Sequence, residues 1–264
     1  MRIATWNVNS IKARMPTVLD VLDGIACDVV CLQEIKCEDD GFPHLEIEEQ
    51  GWNCAVHGQK SYNGVAILSK LPIEDIETGL PGTDGAPDLD DDQARYIEAT
   101  VMGERPIRVC GLYLPNGNPA PGPKYDYKLA WMERLAARAE TLLATEEPFI
   151  MAGDYNCIPR DEDCWDIGVW REDALALPAT RAAFHKLRWM GLTEAFEMLD
   201  GRAHQYTFWD YQGGAWAKDH GIRIDHLLCS PEAADRLESV EIYRKARGLT
   251  KPSDHVPVIG VFAD

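Results

Sequence analysis

Phe149-Ile150-Met151-Ala152-Gly153-Asp154-Tyr155-Asn156 is the stretch on which the reading of the fold turns. Its first four residues are a short apolar run of the kind that forms a buried strand, and the run ends in a polar island. The glycine lets the backbone turn tightly at that point. On an extended segment, side chains two residues apart point the same way, so Asp154 and Asn156 share a face. A carboxylate beside a carboxamide suits activation of a water: the acid takes its proton and the amide fixes it. The ordinary alternative is an Asx-turn that merely closes a strand. Other islands lie at the ends of apolar runs in the same way: Trp6-Asn7-Val8-Asn9, Gln33-Glu34, Tyr113-Leu114-Pro115-Asn116, Arg223-Ile224-Asp225-His226 and Ser253-Asp254-His255. Acids and amides placed there are costly to bury unless they are paired. Their joint occurrence points to one active site assembled from strand ends.

Working outward, apolar and β-branched runs recur at residues 2–6, 28–32, 64–68, 96–101, 107–112, 224–229 and 256–262. Many are nearly continuous rather than alternating, as expected of strands covered on one or both faces. Helical patterning lies between them. Within residues 124–145, Leu129, Met132, Leu135, Ala136, Ala139 and Leu143 recur at helical spacing. A second helix is expected over residues 179–190, stopping at Gly191, and another over 10–22, with Pro16 at a break or a new first turn. Gly- and Pro-rich segments at 80–87 and 116–123 read as surface loops. No linker separates two domains, and each half opens on strand, polar island and helix. The expectation is a single α/β domain over residues 1–264, two sheets packed face to face with helices outside.

A chain of 264 residues suits such a sandwich, and a hydrophobic content of 45% is enough for a large core. No apolar stretch reaches the roughly 18 residues of a membrane span. The N-terminal Met1-Arg2-Ile3-Ala4-Thr5-Trp6 enters a strand pattern directly, without a leader-like apolar segment, so a cytoplasmic protein is expected. The 8 cysteines form no paired Cys-x-x-Cys set, which favours reduced, buried thiols over zinc or disulfides. A net charge of −18, from 26 Lys and Arg against 44 Asp and Glu, argues against a general polyanion binder. The acids, however, concentrate in stretches such as 38–40 and 88–92, while Arg244, Lys245, Arg247 and Lys251 run into Ser253-Asp254-His255 as a candidate positive strip. A cation bound among the acids would also reverse the local sign.

Each island offers a role. Glu34, past a buried run, is a candidate metal ligand, with a salt bridge to Lys36 as the simple alternative. Oxygen donors of this kind suit a hard divalent cation. Asn7 and Asn9 share one face at the end of the first strand. His255 is suited to donate to a phosphate oxygen, and Asp225 is the natural carboxylate to orient it. Tyr113, before the Pro115-Asn116-Gly117 turn, offers a phenol to a phosphate or a leaving group, though core packing explains it equally well. The run Tyr206-Thr207-Phe208-Trp209-Asp210-Tyr211 is too dense for a core strand alone. Outward rings there would wall a sugar pocket or stack on bases.

A family resemblance rests on these residues in their order. Trp6-Asn7-Val8-Asn9, Leu32-Gln33-Glu34-Ile35-Lys36 and Gly58-Gln59-Lys60-Ser61-Tyr62-Asn63-Gly64-Val65-Ala66 come first. Leu114-Pro115-Asn116-Gly117, Tyr125-Asp126-Tyr127-Lys128-Leu129-Ala130-Trp131 and Gly153-Asp154-Tyr155-Asn156 follow. Tyr206-Thr207-Phe208-Trp209-Asp210-Tyr211, Arg223-Ile224-Asp225-His226 and Ser253-Asp254-His255-Val256-Pro257 complete the set. Nearly end to end, the chain resembles the exonuclease III/apurinic endonuclease family of the deoxyribonuclease I-like superfamily.

The resemblance implies a four-layer α/β sandwich with Mg²⁺ or Mn²⁺ at one end. By it, Glu34 binds the metal, Asn9 and Asp254 contribute directly or through water, and Asn7, Asp154 and Asn156 lie close by. Asp154 would activate or orient the attacking water, helped by Asn156 and Asn7. Asp225 would pair with His255, whose other edge faces the scissile phosphate, and Tyr113 and Asn116 would contact that phosphate. Phe208, Ile222 and Ile224 would wall a pocket for an abasic sugar, with Trp209 and Arg223 beside them. The implied activity is metal-dependent repair of double-stranded DNA: 3′-5′ exonuclease, abasic endonuclease, and 3′-phosphatase or phosphodiesterase, by a monomer. A phosphomonoesterase or phospholipase of the same superfamily, and a non-catalytic nucleic-acid-binding relative, are the alternatives. The aromatic segment 206–211 resembles the repair branch, and a non-catalytic relative should have lost part of the site.

Overall fold

The computed structural model describes residues 1–81 and 91–263. Residues 82–90, which carry most of the expected 80–87 loop and of the acidic stretch 88–92, lie outside the described residues.

Among the described residues, twelve strands numbered along the chain form two six-stranded sheets. The first contains β1 (Arg2–Asn7), β2 (Val29–Gln33), β3 (Asn53–His57), β4 (Val65–Ser69), β11 (Leu237–Ile242) and β12 (Val258–Phe262), in the order β11-β12-β1-β2-β4-β3. The second contains β5 (Ile73–Thr78), β6 (Tyr96–Val101), β7 (Ile107–Tyr113), β8 (Phe149–Asp154), β9 (Thr193–Glu194) and β10 (Asp225–Cys229), in the order β5-β6-β7-β8-β10-β9. Each sheet has one parallel pair, β1 with β2 and β7 with β8, and is otherwise antiparallel. Both sheets therefore follow one plan, the structural form of the echo between the two halves of the sequence.

Alternation along the strands builds the layers. Ile3, Val29 and Cys31 pack between the sheets with Ile97, Val109, Ile150 and Leu227. Their neighbours Ala4, Trp6, Val30 and Leu32 pack instead with Val18, Val21, Leu22 and Ile25 of the helix Met15–Ile25. Beyond the second sheet, Cys110, Leu112, Phe149 and Met151 meet Trp131, Met132, Leu135 and Ala139 of the helix Pro123–Leu143. Central strands are thus covered on both faces, and β2 is buried at every residue, which is why it reads as a continuous apolar run. The layers run helix, sheet, sheet, helix: the four-layer α/β sandwich expected from the sequence.

Prolines open the helices. Pro16 lies in the first turn of Met15–Ile25, where a missing N–H costs no intrahelical bond, and Pro123 and Pro178 begin Pro123–Leu143 and Pro178–Trp189. Gly153 corrects a detail. It lies inside β8 rather than at a turn, and a Cβ there would come within 2.1 Å of the Leu112 carbonyl oxygen. Close approach of β7 and β8 is what requires the glycine. All the cysteines are free thiols. No helix among the described residues is long and apolar enough to cross a membrane.

Candidate active site

Asn7 closes β1 beside Gln33 of the parallel β2, which delivers Glu34 one residue later. In the second sheet Tyr113, Asp154 and Asp225 stand in register across β7, β8 and β10. The Asn7 side chain joins the two sheets at this end: Nδ2 donates to Glu34 Oε1 at 2.8 Å and to Asp154 Oδ2 at 3.0 Å. Its Oδ1 accepts from the Asn9 backbone N–H at 2.9 Å, which fixes the orientation of the amide.

Asp154, His255 and Asp225 form a buried line. His255 Nδ1 lies 3.1 and 2.9 Å from the two Asp225 oxygens, and Nε2 lies 3.7 Å from Asp154 Oδ2. Burial alone would strip the imidazole of its proton, but Asp225 and then Asp154 outweigh it and raise the group to about 10. Burial pushes the Asp154 carboxyl up to about 7 against the pull of His255, with Asp225 adding to the rise. Thr207 Oγ1 accepts from the N–H groups of Ile224 and Asp225 at 3.1 and 3.2 Å, which fixes the entry to β10.

Beside this line lies a set of oxygen donors. Lys36 Nζ sits 2.8 Å from Glu34 Oε2 and 2.6 Å from Asn9 Oδ1, and Asn9 Nδ2 donates to Asp254 Oδ1 at 3.1 Å. Burial opposes charge on Glu34, yet Lys36 prevails and holds the carboxyl below its usual range. The Lys36 salt bridge is thus present, with its ammonium seated among the oxygens of Glu34 and Asn9. Such a set fits a hard divalent ion. Asp154, Asp225 and His255 also bring ligand atoms within 4.8 Å of one another, a second cluster that could hold a metal ion. Four of the thirteen non-glycine residues with left-handed backbone among the described residues lie here. Asn9, Glu34, Lys36 and Asn156 have φ of 44°, 51°, 54° and 43°. Left-handed backbone costs a residue with a side chain about 1–3 kcal/mol, and it clusters at functional sites.

The far wall carries amides and a phenol. Asn156 donates its N–H to Asp154 Oδ1 at 2.9 Å and its Nδ2 to the Leu114 carbonyl at 2.8 Å, while its Oδ1 accepts from Asn116 Nδ2 at 3.2 Å. Burial, reinforced by the Glu34 and Asp154 carboxylates, pushes the Tyr113 phenol well above its ordinary value, so it keeps its proton and remains a donor. Beneath this wall Lys128 donates to the carbonyls of Asn116 and Asn156 at 3.0 and 2.6 Å. Burial pushes its ammonium down to about 8. Sequence reading missed Lys128. The signal was a charged residue on the buried stripe of its helix, between Tyr125 and Trp131.

Several expected contacts need correction. Phe208 is half-buried with its ring 4.9 Å from that of His255, beside the buried line. Ile222 and Ile224 are buried with Ile158, Cys164 and Leu175, so they back Phe208 instead of facing a pocket. Trp209 does not reach the site: it is fully buried, edge-to-face with Trp216, and its Nε1 donates to Asp219 at 2.9 Å. Arg223 is 1% exposed and held by Asp163, Glu194 and Glu197 at 2.9, 3.0 and 3.3 Å. A guanidinium so enclosed is part of the core, not a substrate contact. The side-chain oxygens of Asn7 and Asn156 accept from the Asn9 N–H at 2.9 Å and from Asn116 at 3.2 Å. Within the basic cluster, Arg247 is buried against Tyr211 and Trp216 and Arg244 pairs with Asp219 at 2.8 Å, which leaves Lys245 and Lys251 exposed.

Residues 4–255 match the model of the Endonuclease/Exonuclease/phosphatase family. The chain is 31% identical to Exodeoxyribonuclease III of Haemophilus influenzae, over 99% of this chain and 100% of that protein. Among solved structures it is similar to a 3′ phosphatase from Neisseria bound to a product DNA hairpin, at 37% identity, TM-score 0.92 and full coverage of both chains. It is likewise similar to an AP endonuclease from Archaeoglobus fulgidus, at 32% identity, TM-score 0.92 and 99% coverage of each. The matched span includes every strand end from Asn7 to His255, and the chain belongs to the Endonuclease/Exonuclease/phosphatase family.

Proposed function

We propose that this chain is a divalent-metal-dependent DNA repair nuclease that hydrolyses phosphodiesters of double-stranded DNA at abasic sites and 3′ ends. Exonuclease, abasic endonuclease and 3′-phosphatase activities share the one phosphate site. The observation that carries the reading is the Asn7 junction, where one amide holds Glu34 of the oxygen-donor set against Asp154 of the Asp154–His255–Asp225 line. The DNA held by the Neisseria neighbour supports nucleic acid as the substrate.

Asp154 acts as the base. Its oxygens are fixed by the Asn156 N–H and Asn7 Nδ2, and its raised affinity for protons suits it to take one from a water at neutral pH. Attack forms a new P–O bond as the bond to the leaving sugar oxygen breaks, and that oxygen takes up a proton from solvent. Imidazolium His255, backed by Asp225, stabilises the charge that gathers on the phosphoryl oxygens. Tyr113 and Asn116 donate to the same group. Glu34, with Asn9 and Asp254, would hold Mg²⁺ or Mn²⁺, which when bound neutralises phosphate charge. We read residues 1–264 as one domain, acting as a monomer in the cytoplasm, a compartment that suits its free thiols.

The test is turnover on blunt, abasic, 3′-phosphate and 3′-blocked duplexes, beside inositol phosphates and a phospholipid. Hydrolysis of the duplexes alone is expected. Turnover confined to the small esters would establish the phosphatase or phospholipase alternative, and binding without cleavage the non-catalytic one.

Phe208→Ala is expected to damage abasic incision more than removal of a 3′-phosphate. An extruded sugar needs an apolar wall, whereas a terminal phosphate needs little extrusion. The loss of an aromatic contact is worth about 0.5–1.5 kcal/mol, so the ratio of kcat/KM for the two substrates should shift by up to about tenfold. Equal loss on both would assign Phe208 to supporting His255 instead.

A further inference from the structure

Lys128 is a buried titratable group beside the candidate site, with no ion pair of its own among the described residues. It is fully buried, and its ammonium donates to the Asn116 and Asn156 carbonyls. Among the described residues no carboxylate lies within ion-pair distance of it. Carbonyls satisfy its hydrogen bonds, and the Asp154 and Asp173 carboxylates act on its charge from a distance, yet burial outweighs them and lowers its hold on the proton. Position 128 lies on the apolar stripe of its helix, where a methionine would pack without burying a charge.

The surroundings are built around this ammonium. Gly117 has φ +90°, and a Cβ there would come within 2.7 Å of Lys128 Cδ, so the turn after Asn116 wraps the lysine stem. Asn156 presents its carbonyl to Lys128 from left-handed backbone. The two carbonyls belong to the residues whose side chains meet at 3.2 Å on the far wall. Asn118 steadies the outer edge, donating to Asn116 Oδ1 at 2.9 Å and to Asp173 at 3.1 Å.

We propose that Lys128 is a positioning residue: its ammonium holds the backbone of Asn116 and Asn156 so that their amides meet the phosphoryl group. The inference rests on the nuclease reading. It assigns to Lys128 a part in phosphoryl chemistry from a place where it touches no substrate atom. Its charge, being buried, acts without the screening that salt imposes on surface lysines.

The experiment compares wild type, Lys128→Met and Lys128→Gln on 3′-phosphate and abasic duplexes with Mg²⁺, measuring kcat, KM and Tm. Misplacement of reacting groups by about 1 Å costs about 10²-fold, and a loss of that order in kcat on both substrates is expected. KM should stay near wild type, because Lys128 touches no substrate atom. Tm should hold or rise in Lys128→Met, since replacing a buried charge by an apolar side chain is often neutral or stabilising. The deficit should persist from low to high salt. A wild-type kcat in Lys128→Met overturns the proposal. So does failure of both variants to fold, which would make Lys128 a structural residue. A wild type inactive on both duplexes would instead overturn the nuclease reading itself.

Discussion

Asp154→Asn abolishes turnover and leaves DNA binding close to wild type: that is the expected result with the largest effect. The amide keeps the shape of the carboxylate and one of its oxygens, so Asn7 or Asn156 still finds an acceptor. What disappears is the proton acceptor. Base catalysis contributes about 10²–10⁴-fold, and a loss in kcat of that size is expected with ground-state contacts preserved. Folding should not suffer, because the change removes one of two carboxylates that face each other across His255. A kcat loss below about tenfold would reject Asp154 as the base.

Asp225→Asn should cut activity and change its dependence on pH. In the wild type, burial works against the imidazolium, and Asp225 is the foremost of the groups that overcome it. Removing that carboxylate lets burial count for more, so His255 gives up its proton at a lower pH than its wild-type value of about 10. Activity that needs the imidazolium is present below the pKa and lost as pH rises through it. The alkaline limb of kcat should therefore move down in the variant, while the wild type holds its rate into the alkaline range. On that limb the deficit should reach about 10²-fold. If the two profiles keep the same alkaline limb, His255 does not act in its charged form.

The sequence discloses the interior of the fold better than its rim. Every central strand announces itself as an apolar run. The strands without such a signal are β3, β5, β9 and β11, and these are the edges of the two sheets. Edge strands lie open to solvent: Glu74, Asp75, Ile76, Glu77 and Thr78 of β5 are all exposed, and β9 has only 2 residues. Their polarity makes them read as loops, although they complete the ladders. The acidic residues along β5 suit an edge, since charge there discourages pairing with another chain.

The candidate site was legible where its residues lie at the ends of runs. Asn7, Glu34, Tyr113, Asp154 and Asp225 fall at strand termini, and the β-sheet register alone brings Tyr113, Asp154 and Asp225 abreast. Sequence was least informative where charge is buried. Arg223 lies in the same island as Asp225, so adjacency suggested a shared role. Its partners Asp163, Glu194 and Glu197 come from separate segments that nothing in the linear order brings together. In the basic run from Arg244 to Lys251, Arg247 is buried over Tyr211 and Trp216, while Arg244 lies over Trp209 and Trp216 with its side chain still 38% exposed. Lys36 shows the opposite. Salt bridge and metal ligand were rival readings of Glu34, and the structure shows the Lys36 ammonium 2.8 Å from Glu34 Oε2 and 2.6 Å from Asn9 Oδ1.

The central claim is that these strand ends form a metal-dependent site for DNA phosphodiester hydrolysis. Its most direct test is incision of a duplex with a single abasic site by the wild-type protein, resolved on a denaturing gel. The reaction is run with Mg²⁺, with excess chelator, and with Mg²⁺ restored after chelation. Cleavage at the abasic position with Mg²⁺, none in chelator, and recovery on adding Mg²⁺ back are predicted. Full incision in chelator, or an intact duplex with Mg²⁺ or Mn²⁺ present, would contradict it.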